Sequence, residues 1–303
     1  MTTQQSSAIL EKTFSEILEE STITDPSFWI QQAKENGIES VLPSLTWRDA
    51  VETKEFEGNE DGEIVVSGFK FDYRRMVLSS AGYAPFQPRF DSLLKSATED
   101  VIYRKTTGDD YSVYPGGNGI RIEYNDDMPG CEPHPDVTQC FALSFIPTKF
   151  FVTIDLVSKG IDEWVLDYVR PKIRVTQKVS HRKDCSAVLT MTAQLNSKDN
   201  VWEEDGVDER ICMKMDKSWE QWTDGVWDDW TLEFDDYPSG MRHLNILNEG
   251  RDRKFWQGFY GPKIANITIE VILPEVPKIT PFEAVDDYSK ELETMFKIDD
   301  DNE

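Results

Sequence analysis

Basic residues are scarce in this 303-residue sequence, which has 32 Lys and Arg against 57 Asp and Glu and a formal net charge of −25. Nucleic acids and anionic membrane surfaces are bound largely through Lys and Arg. The charge balance therefore argues against both as partners. The excess of carboxylates is typical of a soluble protein surface.

Long apolar runs and a secretory signal are also missing. No run approaches the ~20 apolar residues that a membrane-spanning helix needs. The first twenty residues, MTTQQSSAILEKTFSEILEE, lack the basic start and apolar centre of a signal peptide. We therefore expect a cytoplasmic protein, with no membrane partner and with reduced thiols.

Cysteine is limited to four residues, none of them in a CxxC pair. Cys131, His134 and Cys140 lie in the segment CEPHPDVTQC and could supply three zinc ligands. No fourth ligand stands nearby at a usual spacing. A proline-rich turn with incidental thiols is the favoured interpretation, so we predict no metal and no other cofactor.

Catalytic motifs are missing as well. There is no GxSxG sequence, and the glycine-rich segment at 115–119 lacks the GK[ST] of a phosphate-binding loop. A glycosidase would need two carboxylates at a defined separation across a cleft. The acidic run at 228–236 is better explained as a solvated strand face or turn. We therefore predict no enzymatic activity.

Helix signals occupy the N-terminal part of the chain. Residues 7–20 place their apolar side chains on one helical face. Asp25 can cap a second helix, Pro26 suits its first turn, and Gly37 suits its exit. The amphipathic residues 71–78 predict either a further helix or a strand edge.

Short β-rich runs separated by turn residues follow from about residue 100. Many such runs predict an antiparallel β-sandwich, and a helix at 156–169, ended by Pro171, interrupts them. The predicted strands are 111–114, 119–124, 137–145, 171–180, 186–195, 210–216, 228–235, 241–247 and 264–273. The expected fold is thus mainly β, with short N-terminal helices and one internal helix.

The stretch from Gly250 to Pro274 holds four aromatic residues among three glycines, ahead of an alternating strand. Glycines weaken a strand, and exposed aromatic groups tend to mark contact sites. We interpret residues 250–262 as a shaped loop, with Trp256 at its tip.

This stretch and the sequence around it resemble the F-box-associated domain. The segments GGNGIRIE (116–123) and RPKIRV (170–175) resemble its opening and middle strands, and the resemblance covers roughly residues 70–274. The C-terminal pattern is matched by Trp230, Phe234, Asp236, Tyr237, Gly240, Arg242, Gly250, Asp252, Phe255, Trp256, Gly258, Phe259, Tyr260 and Gly261.

The resemblance implies a β-sandwich of the jelly-roll or galactose-binding-like kind that acts as a substrate receptor of SCF (cullin-RING) ubiquitin ligases. In a subgroup of the family, the ligand is the chitobiose core of N-glycans on misfolded glycoproteins in ER-associated degradation. The sugar-contacting positions of that subgroup fall on Phe145, Asp184, Phe255, Trp256 and Gln257. The subgroup usually has Tyr where Phe255 stands and Lys where Gln257 stands.

The same resemblance divides the chain into four parts. Residues 1–49 are interpreted as a short helical, F-box-like remnant, 50–69 as an acidic linker, 70–275 as the sandwich, and 276–303 as an acidic tail. The Leu-Pro start and the middle helix of an F-box are not found in the first part. The alternative hypothesis is a protein-interaction scaffold of the same fold that recruits no ligase adaptor, with the aromatic loop either binding a peptide or packed on the sandwich. A buried Trp256 would favour this alternative.

Overall fold

The computed structural model describes most of the chain from Asp25 to Thr280. The described residues are 25–39, 42–52, 71–78, 89–90, 105–106, 109–114, 116–124, 130–159, 161–202 and 207–280. The helix predicted at 7–20, most of the acidic linker and the tail after residue 280 lie outside them. No helix among the described residues is long and apolar enough to cross a membrane.

Among the described residues, three α-helices precede the sheets: α1 (Pro26–Glu35), α2 (Leu45–Glu52) and α3 (Tyr73–Leu78). The start of α1 is as predicted, because the Asp25 side chain accepts a hydrogen bond from the Ser27 amide and Pro26 occupies the first turn. Gly37 follows with a φ of +68°, a left-handed conformation that glycine adopts without strain.

The strands form two sheets in which every pairing is antiparallel. One has the order β10-β7-β12-β5-β4 with β1 also paired to β12, and the other has the order β2-β3-β6-β11-β8-β9. The strands are β1 (Arg89–Phe90), β2 (Lys105–Thr106), β3 (Asp109–Tyr114), β4 (Ile120–Tyr124), β5 (Gln139–Leu143), β6 (Thr148–Asp155), β7 (Lys172–Ser180), β8 (Ala187–Asn196), β9 (Cys212–Trp219), β10 (Asp228–Phe234), β11 (His243–Asp252) and β12 (Lys263–Ile272). The predicted antiparallel β-sandwich is confirmed.

The core lies between the two sheets. Phe141 of β5 meets Phe150 of β6 edge to face, with ring centroids 4.9 Å apart. Gln177 of β7 and Asn248 of β11, both buried, exchange two amide hydrogen bonds of 2.8 and 3.1 Å across the same space. Since a buried amide is costly unless it is paired, this reciprocal pair fixes how the sheets face one another.

The N-terminal helices belong to this core. Trp29, Trp47 and Phe71 are buried in one continuous apolar cluster with the strands. The Trp47 indole N–H donates to the carbonyl of Pro274, after β12, at 2.8 Å. Helix α2 also crosses the boundary predicted between residues 49 and 50. The division of the chain into four parts stays a prediction.

Two local predictions are wrong. Residues 148–155, which were not among the predicted strands, form β6, and residues 156–159 form a turn instead of the start of a helix. The turn forms because the Asp155 carboxylate accepts the amides of Val157 and Ser158. Helical structure begins only at Glu163 and continues as a π-helical turn, Val165–Val169.

The segments that connect the strands lie at two opposite ends of the sandwich. The loop end carries residues 116–119, 144–147, 181–186, 220–227 and 253–262. The helix end carries the π-helical turn, the connection that crosses from β10 in one sheet to β11 in the other, and the N-terminal helices. Strand β11 runs from the helix end to the loop end, and its ten residues span about 30 Å.

Candidate functional site

The aromatic loop, residues 253–262, is fixed at its start by Asp252. This buried carboxylate accepts the amides of Lys254 at 2.7 Å and Phe255 at 2.5 Å through Oδ1. Phe255 is held at a φ of +57°, a conformation that costs a non-glycine residue about 1–3 kcal/mol. The loop then presents Phe255 at 63 % exposure and Trp256 at 41 %. The predicted loop-tip placement of Trp256 agrees with this geometry.

The middle of the aromatic loop is tied to two neighbouring loops. The Ser144 hydroxyl donates to the carbonyl of Gly258 at 2.9 Å and accepts the amide of Asn118 at 2.9 Å. The Asn118 side chain in turn accepts the Gly258 amide at 3.1 Å. Two of these three bonds join segments more than 100 residues apart, so the exposed aromatic rings stand on a fixed backbone.

Phe145 lies beside this junction and is half-buried. A Cβ atom on Gly117 would come within 2.7 Å of the Phe145 ring, and Gly117 has a φ of +62°. Only glycine fits both conditions, so the loop at 116–119 closes directly against the ring. Phe145 is therefore packed directly against the backbone of Gly117.

Asp184 connects to Trp256 through two intermediate side chains. Arg182 donates to both oxygens of Asp184, at 2.9 and 2.7 Å. The Arg182 guanidinium lies over the Tyr260 ring, 4.4 Å from its centre. Tyr260 meets Trp256 edge-on, with centroids 5.6 Å apart. The structure thus places Asp184 and Trp256 in one row of contacting groups.

The charge state of Asp184 is set by this row. The two hydrogen bonds from Arg182 hold the pKa of the Asp184 carboxyl below its ordinary value. Its side chain keeps 34 % of its surface exposed. A carboxylate offers about four lone-pair positions, so two remain for hydroxyl or amide donors of a ligand.

Gln257 is exposed and precedes Gly258, whose amide and carbonyl anchor the loop. All five predicted residues therefore lie on loops of the same end. Phe255, Trp256 and Gln257 are consecutive, Asp184 joins them through Arg182 and Tyr260, and Phe145 adjoins through Ser144. Arg182 and Tyr260 were not predicted, although the cation and the ring are both plain in the sequence.

The loop at 220–227 is a further part of this end that sequence reasoning missed. The Gln221 side chain donates to the backbone carbonyl of Asp184 at 2.9 Å. The Trp222 amide donates to the carbonyl of Lys183 at 2.6 Å, and Trp222 is 75 % exposed. The only sequence signal for this loop is the cluster of tryptophans around it.

Neither a metal site nor a reactive cysteine is supported by the geometry of the described residues. Among the described residues, no group of three or more His, Cys, Asp or Glu is placed to hold a metal. Burial raises the pKa of all four thiols, to about 11 for Cys185, which disfavours a reactive thiolate.

The acidic run of β10 is engaged in ion pairs on the outer strand face. Glu233 binds Lys172 at 2.7 Å and Arg174 at 2.6 Å, and Asp229 binds Lys178 at 2.6 Å. These are solvated pairs along a sheet, as the sequence analysis favoured. They do not face each other across a cleft, as a pair of hydrolytic carboxylates would.

A cavity of about 430 Å³ lies away from these loops, at the helix end. Its walls are Asp72, Asp162, Glu163, Trp164, Asp167 and Tyr168. Asp167 is already engaged by Arg242, which donates to both its oxygens at 2.8 and 2.7 Å. None of the five predicted site residues lines this cavity.

The fold and this end together define a β-sandwich with a loop-built surface of exposed aromatic and polar groups. The chain belongs to the family defined by the F-box associated region, whose model matches residues 99–271. The resemblance inferred from the sequence is thereby confirmed.

Among the relatives, human F-box only protein 6 is 30 % identical over 171 residues, which are 55 % of this chain and 54 % of that protein. Mouse F-box only protein 44 is 27 % identical over 54 % of this chain and 59 % of its own length. The chain thus spans about half the length of the curated relatives it matches.

A solved structure, TmCBM61 with β-1,4-galactotriose, overlaps 53 % of this chain and 88 % of its own at 7 % identity. Its TM-score with this chain is 0.32.

Proposed function

We propose that this protein is a recognition module whose loop end binds the chitobiose core of N-linked glycans on protein substrates. The observation that carries the proposal is the exposure of Trp256 on a loop fixed by long-range hydrogen bonds. A ring that served only to close the sandwich would be buried. A rigid exposed ring is suited to the apolar face of a sugar.

Each of the five residues has a role in this proposal. Trp256 and Phe145 supply ring faces for the two sugars, with Phe255 beside them. Asp184 accepts hydrogen bonds from a hydroxyl or an acetamido N–H, and the charged acceptor makes these bonds stronger than neutral ones. Gln257 donates through its amide without charge.

We further propose that the module acts in the cytoplasm as a substrate receptor without catalytic activity of its own. Membership of the family supports an SCF ubiquitin ligase as the assembly in which it works, directed at misfolded glycoproteins in ER-associated degradation. The described N-terminal helices bury Trp29, Trp47 and Met76 in the sandwich core, although Leu45 is exposed. The ligase adaptor would therefore need a surface that these residues do not supply.

The alternative is a scaffold of the same fold that binds a polypeptide and recruits no ligase. Exposed aliphatic groups at the loop end favour it, since Ile146 and Val226 are 43 % and 51 % exposed. Aliphatic side chains contact peptide side chains better than they contact sugars. The two candidates differ in whether a free glycan suffices for binding.

The test is a calorimetric titration of the whole chain with chitobiose. We expect saturable binding that Trp256→Ala abolishes and Asp184→Asn weakens. Replacing the charged acceptor with a neutral one should cost about tenfold in affinity, or ~1.4 kcal/mol.

The matched control is Leu45→Ala, which removes an exposed apolar side chain at the helix end. It should leave the affinity for chitobiose unchanged. A flat titration with folded wild-type protein would remove the glycan proposal and leave the scaffold.

A further inference from the structure

Trp222 is the most exposed of the large apolar side chains at the loop end. Nothing in the sequence resemblance gives it a role. Burying a tryptophan is strongly favourable, so an exposed one leaves that free energy available to a binding partner. Such a residue at the edge of a candidate binding site is a candidate contact.

The loop that carries Trp222 is held in place. Its amide donates to the Lys183 carbonyl at 2.6 Å, and the preceding Gln221 side chain donates to the carbonyl of Asp184 at 2.9 Å. The Thr223 hydroxyl lies 3.0 Å from Nε2 of the buried His181. Trp222 is therefore anchored on both sides to the segment that presents Asp184.

The backbone of Trp222 is strained. Its φ is +69°, a left-handed conformation that costs a non-glycine residue free energy and persists only where neighbouring contacts impose it. The Trp222 amide and the side chains of Gln221 and Thr223 make contacts with the Asp184 segment that help to impose it. The strain and the exposure thus come from one arrangement, which keeps an aromatic ring beside Asp184 and outside the core.

The contacting groups at the loop end form an extended row that begins at Trp256. Trp256 contacts Tyr260, Tyr260 contacts Arg182, and Arg182 binds Asp184. The loop of Trp222 is bonded to the Asp184 segment, and its Glu220 also pairs with Arg253 at the start of the aromatic loop, at 2.6 Å. Trp256 and Trp222 therefore lie on two different loops, and each of these loops is connected to Asp184.

We propose that Trp222 is a second ring-stacking contact, for a sugar unit beyond the two that lie between Trp256 and Asp184. The inference rests on the proposed function and extends its ligand from a disaccharide to a longer glycan. A saccharide is favoured as the occupant because polar groups surround Trp222. Glu220 and Gln221 precede it in the sequence, and the Gln221 side chain binds the backbone carbonyl of Asp184. An aromatic face with polar groups at its edge is suited to a sugar ring.

The test compares two probes in calorimetric titrations: chitobiose and the pentasaccharide that carries three mannoses on it. Wild type should bind the pentasaccharide about three- to tenfold more tightly, the gain of one stacked ring. Trp222→Ala should lose this increment and bind both probes with the wild-type affinity for chitobiose. Trp222→Phe should keep part of it. Trp256→Ala should lose both ligands.

The other outcomes each overturn the inference and differ in what they leave standing. If Trp222→Ala binds both probes as wild type does, the second contact is wrong and the chitobiose site remains. If it weakens both probes equally while circular dichroism shows an intact fold, Trp222 only supports the first site. If it weakens a glycosylated peptide but neither free sugar, the loop contacts polypeptide. If wild type binds neither sugar, the proposed function fails as well.

Discussion

The two ends of the sandwich are held together by different means. At the helix end, Asp167 and Arg242 form a bidentate pair that also binds the Gly240 amide, and Trp164 packs against Phe71 at 5.4 Å. At the loop end, hydrogen bonds between polar side chains and the backbone fix the loops, while Trp222, Phe255 and Trp256 are exposed. The family pattern therefore contains two sets of residues, one that closes the fold and one that is available to a ligand.

Asp167→Ala should have the largest effect on stability. Arg242 would be left largely buried without its main partner, and breaking such a pair costs about 3–5 kcal/mol. Urea denaturation would measure the loss. Chitobiose affinity of the folded fraction should not change, because the pair is at the far end from the loops.

Lys178→Ala is the control for the Asp167 experiment. It breaks a pair with an exposed carboxylate, Asp229, and pairs of that kind contribute about 0–1 kcal/mol. Equal effects of the two substitutions would contradict the view that the helix end is locked by its buried pair.

Asp252→Ala should have an intermediate effect, confined to the loop end. It removes the acceptor of the Lys254 and Phe255 amides, at a cost of about 1–3 kcal/mol. Hydrogen exchange of the peptide 250–262, followed by mass spectrometry, should show lost protection, and chitobiose binding should weaken.

Asp252→Asn is the matched variant, since its amide oxygen can still accept both hydrogen bonds. It should retain most of the protection and of the binding. Wild-type exchange in Asp252→Ala would mean that the loop is held without this carboxylate.

His181 should give the smallest effect, as a pH dependence. Its ring is buried and stacked on Trp219, and burial lowers its pKa. Thr223 contacts the ring, while Lys217, Asp228 and Asp184 supply the nearby charges.

The sign of the His181 effect follows from its lowered pKa. The unfolded chain, with a pKa near 6.5, binds the proton more readily than the folded protein does. The contribution of neutral His181 to the free energy of unfolding is fully present above that pH. It is lost as the pH drops from 6.5 towards the pKa of the folded protein. Urea midpoints at pH 7.5 and 5.5 should differ more for wild type than for His181→Gln. An unchanged difference would assign the slope to other groups.

Much of the fold could be predicted because its signals are local. All nine predicted strands correspond to observed ones, and Asp25 and Pro26 begin α1 as expected. Strand β6 was missed although Thr148, Phe150, Val152 and Ile154 alternate inward. Phe151 on the opposite face obscures that period, and the Asp155 turn that ends the strand depends on side-chain hydrogen bonds.

The candidate site could be predicted only where a family pattern supplied it. Phe145, Asp184, Phe255, Trp256 and Gln257 came from resemblance, and the structure gathers their loops at one end. Arg182 and Trp222 were missed because their importance lies in contacts with Tyr260 and Lys183, residues distant in sequence. No periodicity in the sequence encodes such contacts.

The packing of the N-terminal helices on the helix end has a geometric consequence. Trp47 bonds to Pro274, and β11 runs from that end to the aromatic loop, so the sandwich acts as a spacer of fixed length. A molecule held by the outer faces of the helices and a glycan held at Trp256 would stand about 30 Å apart or more, whatever their sizes. In the proposed receptor, the distance between these two molecules would be set by the length of the sandwich.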